Sequence, residues 1–270
     1  MTASALAALL LLAGPRYRFP LEDPDQILKM VIGVDHEPVD HGPPDVDCVA
    51  YDGAEDFPHC YDQHKGSDFL LDGGFGVMDA GSLVILAAAD GNVVEVADGN
   101  YDRCHGDFGS GKVDCDGHPM KSNHVRVEHD GGRFTEYHHM KNGSLLVKVG
   151  DHVTCGQPLG LVGSSGRSSM PHLHFQVEDA HGAILDPYVV GEGSLWMQQD
   201  GGDGLPGALC EPAPAEPVEA TVVVEADAGA VVSSEGASGC QAGPRPGTAP
   251  GLLWALAALA LAWASKLTRS

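Results

Sequence analysis

Positive charge is scarce in this chain: 15 Lys and Arg stand against 38 Asp and Glu in 270 residues, a formal net charge of -23. A phosphate backbone is held by clustered cations, so a nucleic-acid footprint is excluded on supply alone. Long apolar runs are missing as well. The longer candidate, Leu252 to Ala264, is uncharged but shorter than the roughly 20 residues that span a bilayer comfortably. Neither a CxxC pair nor zinc-finger spacing occurs, which argues against a structural all-thiolate metal site. Between Pro58 and Val190 no stretch keeps a helical period with caps, and the chain has no internal repeat.

What is present begins with two short apolar ends. "MTASALAALLLLAGP" has an apolar run of the length of a secretory signal peptide, about 7 to 15 residues, although no Lys or Arg precedes it. Residues 1–15 are therefore expected to direct export. At the other end Lys266 and Arg269 follow the apolar run and would keep its end cytoplasmic. Residues 251–270 are read as a hydrophobic sorting or anchor segment at a membrane, and the location as the cell envelope or cell surface. "SGCQAGPRPGTAPGLLWALAALALAWASKLTRS" resembles the myxobacterial type of C-terminal sorting tail, with a Gly-Cys pair ahead of a short helix and a basic end. Residues 192–250 are rich in Gly, Ala, Pro, Glu and Asp and offer few large apolar side chains against ordering entropy, so a flexible linker is expected there. Residues 16–57 are left as an N-terminal extension and 58–191 as the folded domain.

Seven cysteines fit an oxidising compartment. Cys48 with Cys60, and Cys104 with Cys115, are close enough in sequence to staple loops, although connectivity cannot be read from spacing. An odd count leaves one over, and Cys240 beside the tail is the candidate.

The middle of the chain has the punctuation of short strands. Asp90-Gly91 separates two apolar runs and suggests a tight hairpin. "NHVRVEHDGGRFTEYHH" puts Val125 and Val127 on one face before a Gly131-Gly132 turn. With "QPLGLVG" and "HLHFQVE", the set predicts an all-β fold, an antiparallel sandwich or barrel-like domain.

In a strand, His172, His174 and Gln176 share one face while Leu173, Phe175 and Val177 share the other. A lone HxH is as well explained by an exposed polar face. The remaining histidines change the weighing: "QHKGSDF" supplies His64 and Asp68, and "EYHHM" supplies His138 and His139. Two imidazoles and one carboxylate make a three-ligand zinc set that leaves a fourth position open, as in hydrolytic sites.

Together these stretches resemble the LytM and lysostaphin type of zinc metallopeptidase, which cleaves peptide cross-links of bacterial peptidoglycan. The similarity runs from about His64 to Val177: "HKGSD" looks like the HxGxD element, "AAADGNVVEVADG" the hairpin after it, "YHHM" the Tyr-x-His-Leu element, "VKVGDHVTCGQPLGLVGSSGRS" the Gly-rich stretch and "PHLHFQV" the HLHFE element. The resemblance implies that His64, Asp68 and His174 bind one zinc, that His139 and His172 are the catalytic pair and that Tyr137 sits beside the site. It leaves His138 a bystander and implies a monomer acting on cross-link peptides. Gln176 stands where Glu is common and Met140 where Leu is common.

The segment from Gly99 to Asn123 is longer than the family's usual connection, and could wall the groove or bind calcium through Asp102, Asp107, Asp114 and Asp116. Two rival readings remain. One is a catalytically inactive relative that binds cell wall or regulates another hydrolase. The other is a cupin-type metal protein, since Gly166, His172, His174 and Glu178 have cupin spacing, but no second cupin element follows.

Overall fold

The computed structural model describes residues 14–40, 42, 47–107, 111–188, 193–199 and 204–212. Its elements run β1 (Ser67–Leu70), α1 (Gly74–Ala80), β2 (Val84–Leu86), β3 (Gly91–Ala97), β4 (His105–Asp107), β5 (Lys112–Asp114), β6 (His124–His129), β7 (Arg133–His138), β8 (His152–Val153), β9 (Pro158–Leu161) and β10 (His172–Glu178). Six strands form one antiparallel sheet in the order β1-β10-β7-β6-β3-β8. β2 pairs with β9, and β4 with β5, as separate two-stranded sheets. The expected all-β antiparallel fold is therefore what the chain adopts.

Alternation builds the core. Val125 and Val127 of β6, Tyr137 of β7 and Leu173, Phe175 and Val177 of β10 are all fully buried in one apolar cluster. Burying each such side chain contributes about 1.5–3 kcal/mol. Their neighbours along the same strands, Arg126, Glu136, His138, His174 and Gln176, carry the polar face that holds the site. Gly131 and Gly132 turn β6 into β7 with φ of 77° and 73°, as the sequence implied.

Asp90-Gly91 does not make a hairpin. β2 and β3 lie in different sheets, and Gly91 is needed for close approach: a Cβ there would stand 2.5 Å from the Glu128 carbonyl oxygen. Asp90 instead ties segments together, its carbonyl taking a bond from His129 Nδ1 at 2.7 Å and its carboxylate one from the Cys155 amide at 2.6 Å.

The folded unit is wider than 58–191. Tyr17, Phe19 and Leu21 on one side, and Trp196 and Leu205 on the other, are buried in the same core. The Tyr17 amide donates to Leu195 at 2.7 Å, and Met197 donates back to Tyr17 at 2.7 Å. Composition averages over windows and misses single anchors such as Trp196 in polar surroundings. Cys48–Cys60 and Cys104–Cys115 are bridged, and a third bridge, Cys155–Cys210, joins the turn after β8 to the segment expected as linker. Cys240, residues 213–270 and most of the leader lie outside the described residues. Among the described residues, no helix is long and apolar enough to cross a membrane.

Candidate metal centre and cleft

Register brings the first groups together. β1 lies against β10 with Asp68 opposite His174 and Leu70 opposite His172. His64 enters from the loop before β1, its ring stacked on Tyr61 at 4.2 Å and its Nδ1–H donating to the Gly33 carbonyl at 2.6 Å. That bond leaves the His64 Nε2 lone pair facing inward, 3.1 Å from Asp68 Oδ1 and 3.1 Å from His174 Nδ1. His174 Nδ1 is 2.8 Å from Asp68 Oδ1, while its Nε2 faces Gln176 Oε1 at 3.4 Å. These three ligand atoms all lie within 4.8 Å of one another. Two imidazole lone pairs and a carboxylate oxygen converging in a buried spot suit a divalent cation, with zinc favoured by this donor set. The approach requires Gly66, because a Cβ there would meet the Phe175 carbonyl oxygen at 2.6 Å and His174 Nε2 at 2.7 Å. Burial pushes the Asp68 carboxyl up, but the imidazoles of His64 and His172 and hydrogen bonds from His172 and His174 outweigh it and hold it well below the carboxylate range.

His139 and His172 sit beside this triad, their rings 4.5 Å apart. His139 donates from Nδ1 to the Ser165 carbonyl at 2.7 Å, and His172 from Nδ1 to the Met170 carbonyl at 2.7 Å. Both therefore leave Nε2 on the site side, and His172 Nε2 stands 3.5 Å from Asp68 Oδ1. Burial, reinforced by His172, His174 and His138, holds the His139 imidazole well below its ordinary pKa, against the opposing bond to Ser165. His139 has φ of 63°, a left-handed turn at the end of β7. In regular strand geometry His138 and His139 would face opposite ways; the turn lets both face the cleft.

Two expectations change here. Tyr137 is not beside the site: it alternates with His138 and faces the core, where its hydroxyl accepts from the Ala88 amide at 2.8 Å and burial pushes its pKa up to about 12. His138 is not a bystander by position, since it lines the cleft with its ring 5.7 Å from His174. Its Nε2 meets Glu136 at 2.7 Å, and Arg126 links Glu136 at 3.1 Å to Glu178 at 2.7 Å. Gln176 closes the chain by donating to Glu178 at 2.7 Å.

A cleft of about 470 Å³ surrounds these groups, lined also by Tyr61, Lys65, Arg167 and Ser169. The segment after Gly99 forms the β4–β5 ribbon, closed by Cys104–Cys115, and it walls the cleft through Gly111 and Val113. Its aspartates do not converge: among the described residues only His64, Asp68 and His174 bring three ligand atoms together. Asp102 instead accepts from the Asn142 amide at 2.8 Å, and Asp116 from Tyr101 at 2.5 Å.

Sequence reasoning missed Tyr61, Gly33 and the serines of "SSGRSS". Ser165 holds His139 through its carbonyl, and Ser168 Oγ is 3.2 Å from His172 Nδ1. Small polar residues packed around an invading imidazole were the available signal.

Residues 63–187 match the model of peptidase family M23. The domain is M23-like. The peptidoglycan DD-endopeptidase ShyA of Vibrio cholerae is 40% identical over 60 residues, 22% of this chain and 14% of that protein. The glycyl-glycine endopeptidase ALE-1 of Staphylococcus capitis is 34% identical over 113 residues, 42% of this chain and 24% of that protein. Thus the M23 match spans a quarter or less of these relatives' own length. The solved catalytic domain of lysostaphin from Staphylococcus simulans aligns with 47% of this chain and 77% of that one, at 28% identity and a TM-score of 0.32. Family model and relatives support the M23 peptidase family for the region that holds all five predicted site residues, His64, Asp68, His139, His172 and His174.

Proposed function

We propose that this chain is a zinc-dependent endopeptidase that hydrolyses peptide cross-links of bacterial peptidoglycan. The observation that carries it is the convergence of His64 Nε2, Asp68 Oδ1 and His174 Nδ1 beside two further imidazoles whose Nδ1 atoms are held by backbone carbonyls. The names of the relatives, one a peptidoglycan DD-endopeptidase and the other a glycyl-glycine endopeptidase, support the substrate class.

His64, Asp68 and His174 would hold the metal. Zinc, when bound, supplies Lewis acidity toward a carbonyl and makes water acidic near pH 7. His139 and His172 handle proton transfer and the charge that develops on the carbonyl oxygen. Each can take a proton on Nε2 from an attacking water and return it to the leaving amine, so no covalent intermediate is needed. Burial, together with the neighbouring imidazoles, disfavours the charged form of His139. The Gly33, Ser165 and Met170 carbonyls orient the three imidazoles before substrate arrives. Export to the cell envelope, retention by the tail and a monomeric state complete the proposal. Three disulfides suit that location.

The test is mass spectrometry of fragments released from purified peptidoglycan, with a chelated control and metal analysis of the protein. Zinc-dependent muropeptide release is expected. A protein that binds zinc and wall but releases nothing at any pH would instead be a non-enzymatic relative.

A further inference from the structure

We propose that the cleft selects an anionic cross-link, a peptide with a free carboxylate beside the scissile bond, over a neutral glycine chain. This deepens, and rests on, the endopeptidase reading above. Two cations line the cleft, Lys65 and Arg167, and both are exposed. Among the described residues, neither has an ion pair or a hydrogen bond. Several other cations are engaged, Arg103 with Asp79, Arg126 with Glu136 and Glu178, Lys148 with Asp151, and Lys141 with the Met78 carbonyl, while Lys112 and Lys121, which do not line this cleft, are exposed without such a partner among the described residues. In a chain with 38 acidic residues, carboxylates to pair with are plentiful, yet both cations that line this cleft are left free.

Their placement gives the charge a purpose. Lys65 directly follows His64, one of the candidate ligands. Arg167 lies between Ser165, which holds His139, and Ser168, which touches His172. Both line the same cleft as the candidate ligands and the two further imidazoles. A guanidinium fork and an ammonium accept a carboxylate through charge-assisted bonds, whereas a glycine chain offers them only amides. The acidic groups of the lining have other partners. Asp40 and Asp62 both accept from the Gly42 amide, at 2.9 and 3.0 Å, and Asp68 is buried in the ligand set.

The test uses the full chain loaded with zinc and two cross-linked muropeptide dimers that differ only in whether the diamino-acid carboxylate is free or amidated, plus pentaglycine. The free-acid dimer is expected to have a kcat/KM about tenfold or more above the amidated one, as befits a hydrogen bond to a charged group. The difference should sit in KM and shrink with added salt. Lys65→Ala and Arg167→Ala should each reduce the preference, and the double variant should remove it, with melting curves checking the fold. Calorimetric titration of the two dimers into zinc-loaded His172→Ala reads selection without turnover. Equal handling of free and amidated dimers, or faster cleavage of pentaglycine, would overturn the inference while the endopeptidase reading stood. No cleavage of any substrate, with a tenfold binding preference retained, would do the reverse.

Discussion

The candidate ligands reach the site by two routes of different rigidity. Asp68 and His174 sit on paired strands in the middle of the fold, where the register of β1 on β10 sets them opposite one another. His64 comes from a loop whose course depends on other parts of the chain: the Gly33 carbonyl, the stacked ring of Tyr61 and the Cys48–Cys60 bridge just before it. Strand-borne ligands inherit their geometry from the backbone ladder. A loop-borne ligand must be fastened separately. Damage on the strand side should therefore abolish the site, whereas damage on the loop side should loosen it.

The largest effect is expected on the strand. His174→Ala should lose zinc, with metal content near zero and no muropeptide release, while His172→Ala should keep zinc and lose turnover. Equal zinc loss in both variants would erase the proposed division of roles. Gly66→Ala comes next, because its Cβ would strike the Phe175 backbone at 2.6 Å. Overpacking of this kind costs about 1–3 kcal/mol. Thermal melting should show it, and chelator competition should show weaker zinc binding. On the loop side, Cys48→Ser with Cys60→Ser removes a bridge of sequence separation 12. A loss of about 2–4 kcal/mol in denaturant unfolding is expected, along with a lower zinc affinity. An unchanged affinity would mean that Gly33 and Tyr61 fasten His64 without it. Gln176→Ala should be milder, about 10-fold in zinc affinity by competition, since it removes one outer partner of His174.

The smallest effect is one of pH, away from the site. Burial lowers the pKa of His129, against bonds and charges from Asp90 and Asp130. A histidine whose folded pKa is depressed takes up its proton more readily when unfolded, so its contribution is fully present above the ordinary value near 6.5 and is lost as pH falls. The melting temperature should drop on acidification below that value, with a shallower drop in His129→Gln.

Much of the strand side could be read from residues alone. HxH in an apolar run placed both imidazoles on one face because side chains alternate in any strand, whatever surrounds it. The same rule, applied strictly to β7, would have put Tyr137 in the core where it lies; the motif resemblance drew it to the site instead. His138 and His139 could not be assigned from alternation, because the left-handed backbone at His139 breaks it. The Asp90-Gly91 pair reads locally as a hairpin, yet Gly91 is there for the backbone of β6 packed against it.

Periodicity and turn signals by themselves determined the all-β class and the core face of β6 and β10, while the five candidate site residues came from the resemblance of the ordered motifs. The class and the core faces follow from local geometry, which each short segment carries with it. Tertiary structure alone decided which groups close the site from afar, the Gly33 carbonyl on His64 and the Ser165 carbonyl on His139, and which distant residues, Trp196 and Cys210, join the folded unit. Such contacts join residues separated by tens of positions, and their partners are chosen by packing rather than by neighbours in the chain.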